Sequence, residues 1–146
     1  GQSVSFQVVE EGSALLFTGD MSVSASSIIV IAMPQEIVAP IVGLDFAETT
    51  KEYLKQLDYS QSFAVLTLRG QMKDSGTIKE VVRQGNQVII KTRPYNIGPG
   101  NYVVKGYTQP YEVISITKQG EWNRNIHFVL ERENEGVIGE IDHFIP

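Results

Sequence analysis

The sequence predicts a mainly β domain, an antiparallel β-sandwich or barrel-like fold carrying one short amphipathic helix. Three observations carry that expectation. From Ser62 onward, short β-rich runs recur at near-regular spacing with turn residues in the gaps; Ile28-Ile29-Val30-Ile31-Ala32-Met33 is β-branched and apolar on both faces; and helical periodicity appears once, between Asp45 and Leu57. With 146 residues, 42% hydrophobic and 20% charged, the chain can bury one core but would leave two domains marginal, so residues 1–146 are read as a single domain.

Taken in order, Phe6 to Glu11 alternates as a short strand, and Gly12-Ser13 is expected to turn it into Ala14 to Thr18 as an opening hairpin. The Ile28 to Met33 run reads as a buried strand stopped by Pro34. Phe46, Thr50, Tyr53, Leu54 and Leu57 then recur at helical spacing, and Asp45 with Glu48 three positions on has the form of a capping box. The stripe is narrow, with Lys51, Glu52, Lys55 and Gln56 opposite, so the helix is expected to lie on a sheet surface.

Six further strands are expected: Phe63 to Arg69, Ile78 to Arg83, Val88 to Arg93, Tyr102 to Tyr107, Tyr111 to Thr117 and Ile126 to Glu131. Lys73-Asp74-Ser75-Gly76 breaks the first gap, Gln84-Gly85-Asn86-Gln87 closes a compact hairpin, and Gln119-Gly120 opens the last loop. Gln109-Pro110 reads as a cis bond or an edge break. Glu133 to Pro146 begins acidic and ends with Val137, Ile138, Ile141, Phe144 and Ile145, apolar groups that dock either on the sheet or on another chain.

Charge narrows the functions. Seventeen acidic against twelve basic residues give −5, which repels phosphate backbones and anionic lipids, so no nucleic-acid partner is expected. The cations, from Arg69 to Arg132, are scattered and read as solvated strand faces. No apolar run approaches the ~20 residues of a membrane span. The start at Gly1-Gln2-Ser3, without methionine, predicts an upstream signal or lipid anchor cleaved to leave Gly1.

For chemistry, the absence of cysteine removes thiolate catalysis and Cys-type zinc sites. No catalytic residue, metal site or cofactor is assigned. His127 is expected on the less buried face of its strand, and Asp142-His143, adjacent in an extended segment, should point apart and so fail as part of a triad. Glu131, Glu133 and Glu135 alternate but are interrupted by Arg132 and read as a solvated strand end. Aromatics carry more information. Tyr95, Tyr102, Tyr107, Tyr111 and Trp122 fall in and around the last loops beside Arg93, Asn96 and Asn123, a composition shared by protein-binding and sugar-binding surfaces. Arg93, Tyr95, Asn96, Tyr107, Tyr111 and Trp122 are the candidate binding residues. Core packing is the competing role for each ring, with Trp122 as a lid on the core.

The order of motifs has a parallel. Phe63-Ala64-Val65-Leu66-Thr67-Leu68-Arg69-Gly70 leads through Ser75-Gly76-Thr77-Ile78 to a Gly-turned hairpin, then to Ile97-Gly98-Pro99-Gly100 and Thr108-Gln109-Pro110-Tyr111. This succession, within residues 62–131, resembles the C-terminal domain of the PrcB family of protease-complex proteins, with a weaker echo from Ile28 to Leu57. The family's fuller Gly-Gly-Tyr turn is reduced here to Gly76, and Glu112 stands where a histidine often follows Pro-Tyr. The resemblance implies a bacterial extracytoplasmic domain, often in lipoproteins, whose named example is a non-proteolytic component that stabilises a surface protease complex. It implies no catalytic residues. The leading expectation is thus a non-enzymatic binding or assembly module with a protein partner, of which a protease subunit is one case. Carbohydrate binding by the same rings is the alternative, and a hydrolase using His127 or His143 stands third.

Overall fold

The computed structural model describes residues 1–16, 27–37, 47–68, 78–93, 107–133 and 135–146, with backbone alone at 13–16, 27 and 107–110. In chain order its elements are β1 (Gln2–Ser3), β2 (Phe6–Leu16), β3 (Ser27–Ile31), a 3-10 turn (Pro34–Glu36), α1 (Glu48–Gln56), β4 (Ser62–Leu68), β5 (Ile78–Gln84), β6 (Gln87–Thr92), β7 (Tyr107–Thr117), β8 (Arg124–Arg132) and β9 (Gly136–Ile145). They form a β-sandwich of two sheets, β1-β5-β6-β8-β9 and β2-β7-β4-β3. The expected fold class holds, as a sandwich and not a closed barrel among the described residues. Every described pair is antiparallel except β6–β8, which is parallel, Gln87 beside His127 through Thr92 beside Arg132.

Alternation places the core between the sheets. Ile28 and Val30 of β3, Phe63 and Val65 of β4, Val88 and Ile90 of β6, Ile114 and Ile116 of β7, and Ile126, Phe128 and Leu130 of β8 all join one buried cluster. The opposite face of the four-stranded sheet is apolar too, because α1 covers it: Leu54, wholly buried, packs with Ile31, Ala64, Leu66, Leu68 and Val113. This is why β4 has no polar face. The helix lies on a sheet as expected, and Tyr53 Oη donates to Ser115 Oγ of β7 at 3.0 Å.

Four expectations are corrected. Gly12-Ser13 does not turn the chain; β2 continues through it beside β7, with a register shift between Val8 and Glu10. Gly12 is opposite Tyr111, and a Cβ there would stand 2.9 Å from the Tyr111 Oη, so the glycine makes room for a ring. Pro110 does not break the strand: β7 runs unbroken from Tyr107, and Pro110 sits one residue past the last described pair with β4, Leu68 with Tyr111. The helix begins at Glu48 behind Ala47, which makes no side-chain cap, so Glu48 is the first helical residue and not the third as a capping box requires; Asp45 lies outside the described residues. Instead the Ala47 N–H donates to Glu10 Oε1 of β2 at 3.1 Å. Last, Arg132 is no solvated cation; it takes the inward position after Leu130 and is 2% exposed, with Nη1 2.9 Å from Glu135 Oε2.

The Gly85-Asn86 hairpin forms as expected, with Gly85 at φ 63°. Residues 69–77 and 94–106 lie outside the described set, and with them the Lys73 to Gly76 turn, the Tyr102 strand start, Tyr95, Asn96 and the Gly98-Pro99-Gly100 loop. The C-terminal segment joins the sheet as β9, antiparallel to β8; this buries Ile145 and packs Ile138 against the core but leaves Val137, Ile141 and Phe144 exposed.

Candidate functional site

The described candidate residues do not share one surface. Arg93 is exposed at the end of β6. Tyr107 begins β7. Tyr111 is half-buried on the helix-bearing side of the four-stranded sheet and donates to Glu10 Oε2 at 2.5 Å. Burial, and then the hydrogen bond and charge of Glu10, push its phenol up to about 12. Because Glu10 also accepts from Ala47, the pair ties β2, β7 and the helix start together, an architectural role.

Trp122 is a lid. Only 9% exposed, it meets Phe63 edge-on at a centroid distance of 5.3 Å and gives its Nε1–H to Gln119 O at 3.1 Å. The Arg83 guanidinium covers the ring at 4.0 Å and is itself held by the carbonyls of Gly85, Gln119 and Glu121. Beside it, an open cleft of about 400 Å³ is lined by Ser60, Lys118, Asn123, Arg124 and neighbours. Lys118 is occupied within this region, donating to the carbonyls of Tyr59 at 2.6 Å and Pro146 at 2.8 Å.

The histidines occupy separate places. Asp142 and His143 point apart, as period two requires: His143 Nε2 lies 2.6 Å from Glu36 Oε2 beside the 3-10 turn, while Asp142 faces the other side of β9. His127 is half-exposed on β8 between two carboxylates, with Nδ1 2.7 Å from Asp142 Oδ1 and Nε2 3.1 Å from Glu140 Oε2. Both nitrogens facing acceptors is an arrangement that only the doubly protonated ring satisfies. Its pKa is correspondingly raised above 6.5, chiefly by the bond to Asp142 and next by that to Glu140. No group of three His, Cys, Asp or Glu that could hold a metal occurs among the described residues.

One surface stands out. Whereas α1 covers the four-stranded sheet, no described element lies over the outer face of the five-stranded one. Of the five large hydrophobic side chains exposed among the described residues, three belong to β9: Val137 (55%), Ile141 (37%) and Phe144 (46%). Pairing of Glu131 with Val137, His127 with Asp142, and Asn125 with Phe144 sets Val137, Asp142 and Phe144 on this outer face, with Glu140 at His127 Nε2. The sequence singled out this segment's apolar residues as needing cover, but the candidate set favoured the Tyr-rich loops over it. Compared with known proteins, the chain matches no family model, no curated protein and no solved structure.

Proposed function

We propose that this chain is a non-enzymatic extracytoplasmic binding and assembly module that engages a protein partner through the outer β8–β9 face. One observation carries the reading: β9 sets two exposed apolar side chains, Val137 and Phe144, on the outer face of a sheet that no described element covers. Aromatic and aliphatic anchors of this kind supply the desolvated centre of protein interfaces. The motif order that resembles the PrcB C-terminal domain supports the same class, in which a partner protease and an upstream lipid anchor belong to the proposal. Trp122 and Tyr111 are not recruited to this surface, since one is a core lid and the other a strut.

The test is site-specific photo-cross-linking in the envelope fraction of the native host, from position 144 and, as control, from position 52 on the opposite outer face. A single defined protein captured from 144 alone, whose purified form no longer binds Phe144→Asp, is the expected result. The same products from both positions, or undiminished binding by Phe144→Asp, overturns the reading.

A further inference from the structure

Resting on that reading, we infer that the β9 strip receives an extended protein segment with a cationic centre and apolar flanks. Along β9 the strip runs Phe144, Asp142, Glu140, Val137: two acids between two apolar ends. At about 3.3 Å per residue it spans roughly 20 Å, the length of about seven extended residues. The described charges that face it lie on neighbouring strands. Glu131 pairs with Val137 across β8–β9, and exposed Glu133 and Glu135 follow; Lys91 of β6 lies beside Glu131, and Gln87, beside His127, is neutral. Among the described residues, His127 is the one cation between the two central acids. A basic segment complements such a strip and is steered to it.

A second copy of the chain fits poorly. In a two-fold contact the strip meets itself reversed, carboxylates onto carboxylates, between molecules each carrying −5. The occupant is therefore a different protein segment.

His127 also makes the strip proton-tuned. While protonated, its two N–H groups hold Asp142 and Glu140, and an incoming lysine or arginine must share them. Loss of the proton removes one donor and one positive charge, so a carboxylate becomes available at full charge. Affinity for a cationic segment rises with pH, and bound segment in turn lowers the proton affinity of His127 by linkage.

The experiment is selection from a displayed library of random extended peptides against the whole protein and Phe144→Asp, followed by binding of the selected peptide at about pH 5.5 and about pH 8.5. We expect sequences with central Lys or Arg and apolar flanks, lost on Phe144→Asp, binding roughly twofold to fivefold tighter at the higher pH, the scale of one exposed charge contact. His127→Gln should flatten that pH dependence. Phe144-dependent peptides with acidic or uncharged centres, or a pH profile unchanged by His127→Gln, overturn this inference and leave the binding module standing. No peptide that distinguishes wild type from Phe144→Asp overturns both.

Discussion

Replacing Trp122 with alanine separates a core lid from a ligand platform, because only a lid removes stability. The ring is 91% buried by difference from its 9% exposure. A tryptophan side chain buries roughly 150–250 Å², and at about 25 cal/mol per Å² that is about 4–6 kcal/mol. Compactness of the unfolded chain trims the figure by roughly 10–40%, to about 3–5 kcal/mol. The edge-on contact with Phe63 adds about 1 kcal/mol, and the exposed Arg83 contact roughly another 0.5 kcal/mol. A loss of about 4.5–6.5 kcal/mol is a large fraction of the ~5–15 kcal/mol available to a domain. Urea unfolding followed by far-UV circular dichroism measures it without relying on the chain's single tryptophan. Trp122→Phe, which keeps an aromatic edge against Phe63, should lose less and remain folded if alanine does not. A loss under about 1 kcal/mol for Trp122→Ala would refute the lid and return the ring to the surface.

Gly12→Ala places a methyl group 2.9 Å from Tyr111 Oη and should cost about 1–2 kcal/mol in urea unfolding, part of it recovered when combined with Tyr111→Phe. Tyr111 should titrate at about 12 in alkaline NMR titration and fall in Glu10→Gln, which removes the negative charge that disfavours the phenolate. His127 should titrate above 6.5, with Asp142→Asn lowering it more than Glu140→Gln. A raised folded-state pKa means that whatever the exposed His127 cluster contributes to stability is full below 6.5 and is lost as pH rises through the folded value.

Much of the fold could be read from local pattern. β3, β4, the β5–β6 hairpin and β8 follow from apolar runs and turn residues, and the opposed directions of Asp142 and His143 follow from period two. The departures share a cause: their reasons lie far along the chain. Gly12 resembles a turn until Tyr111 is set across from it, and Ala47, which has no side-chain acceptor with which to cap α1, gives its own N–H to Glu10, 37 residues earlier. Arg132 was legible in principle, since Phe128 and Leu130 set the inward side of β8 and Arg132 continues it. β9 was obscured by Gly136, Gly139 and its acids, although Ile141, His143 and Ile145 keep the alternation. The candidate site suffered most: aromatic richness drew attention to Trp122 and Tyr111, which the fold uses internally.

The parallel β6–β8 pair has a kinetic consequence. Gln87 and His127 are neighbours forty residues apart, and β7 must cross to the other sheet between them. β1 joins the same sheet from still farther, Gln2 beside Arg83. The five-stranded sheet can therefore nucleate as the β5–β6 and β8–β9 hairpins, but it cannot be joined until the long loop between those halves has closed. Refolding should be slow for a chain of this size, on the order of milliseconds to seconds. During that interval two half-sheets with unsatisfied edges coexist, the state in which such a chain is most exposed to association with its own kind.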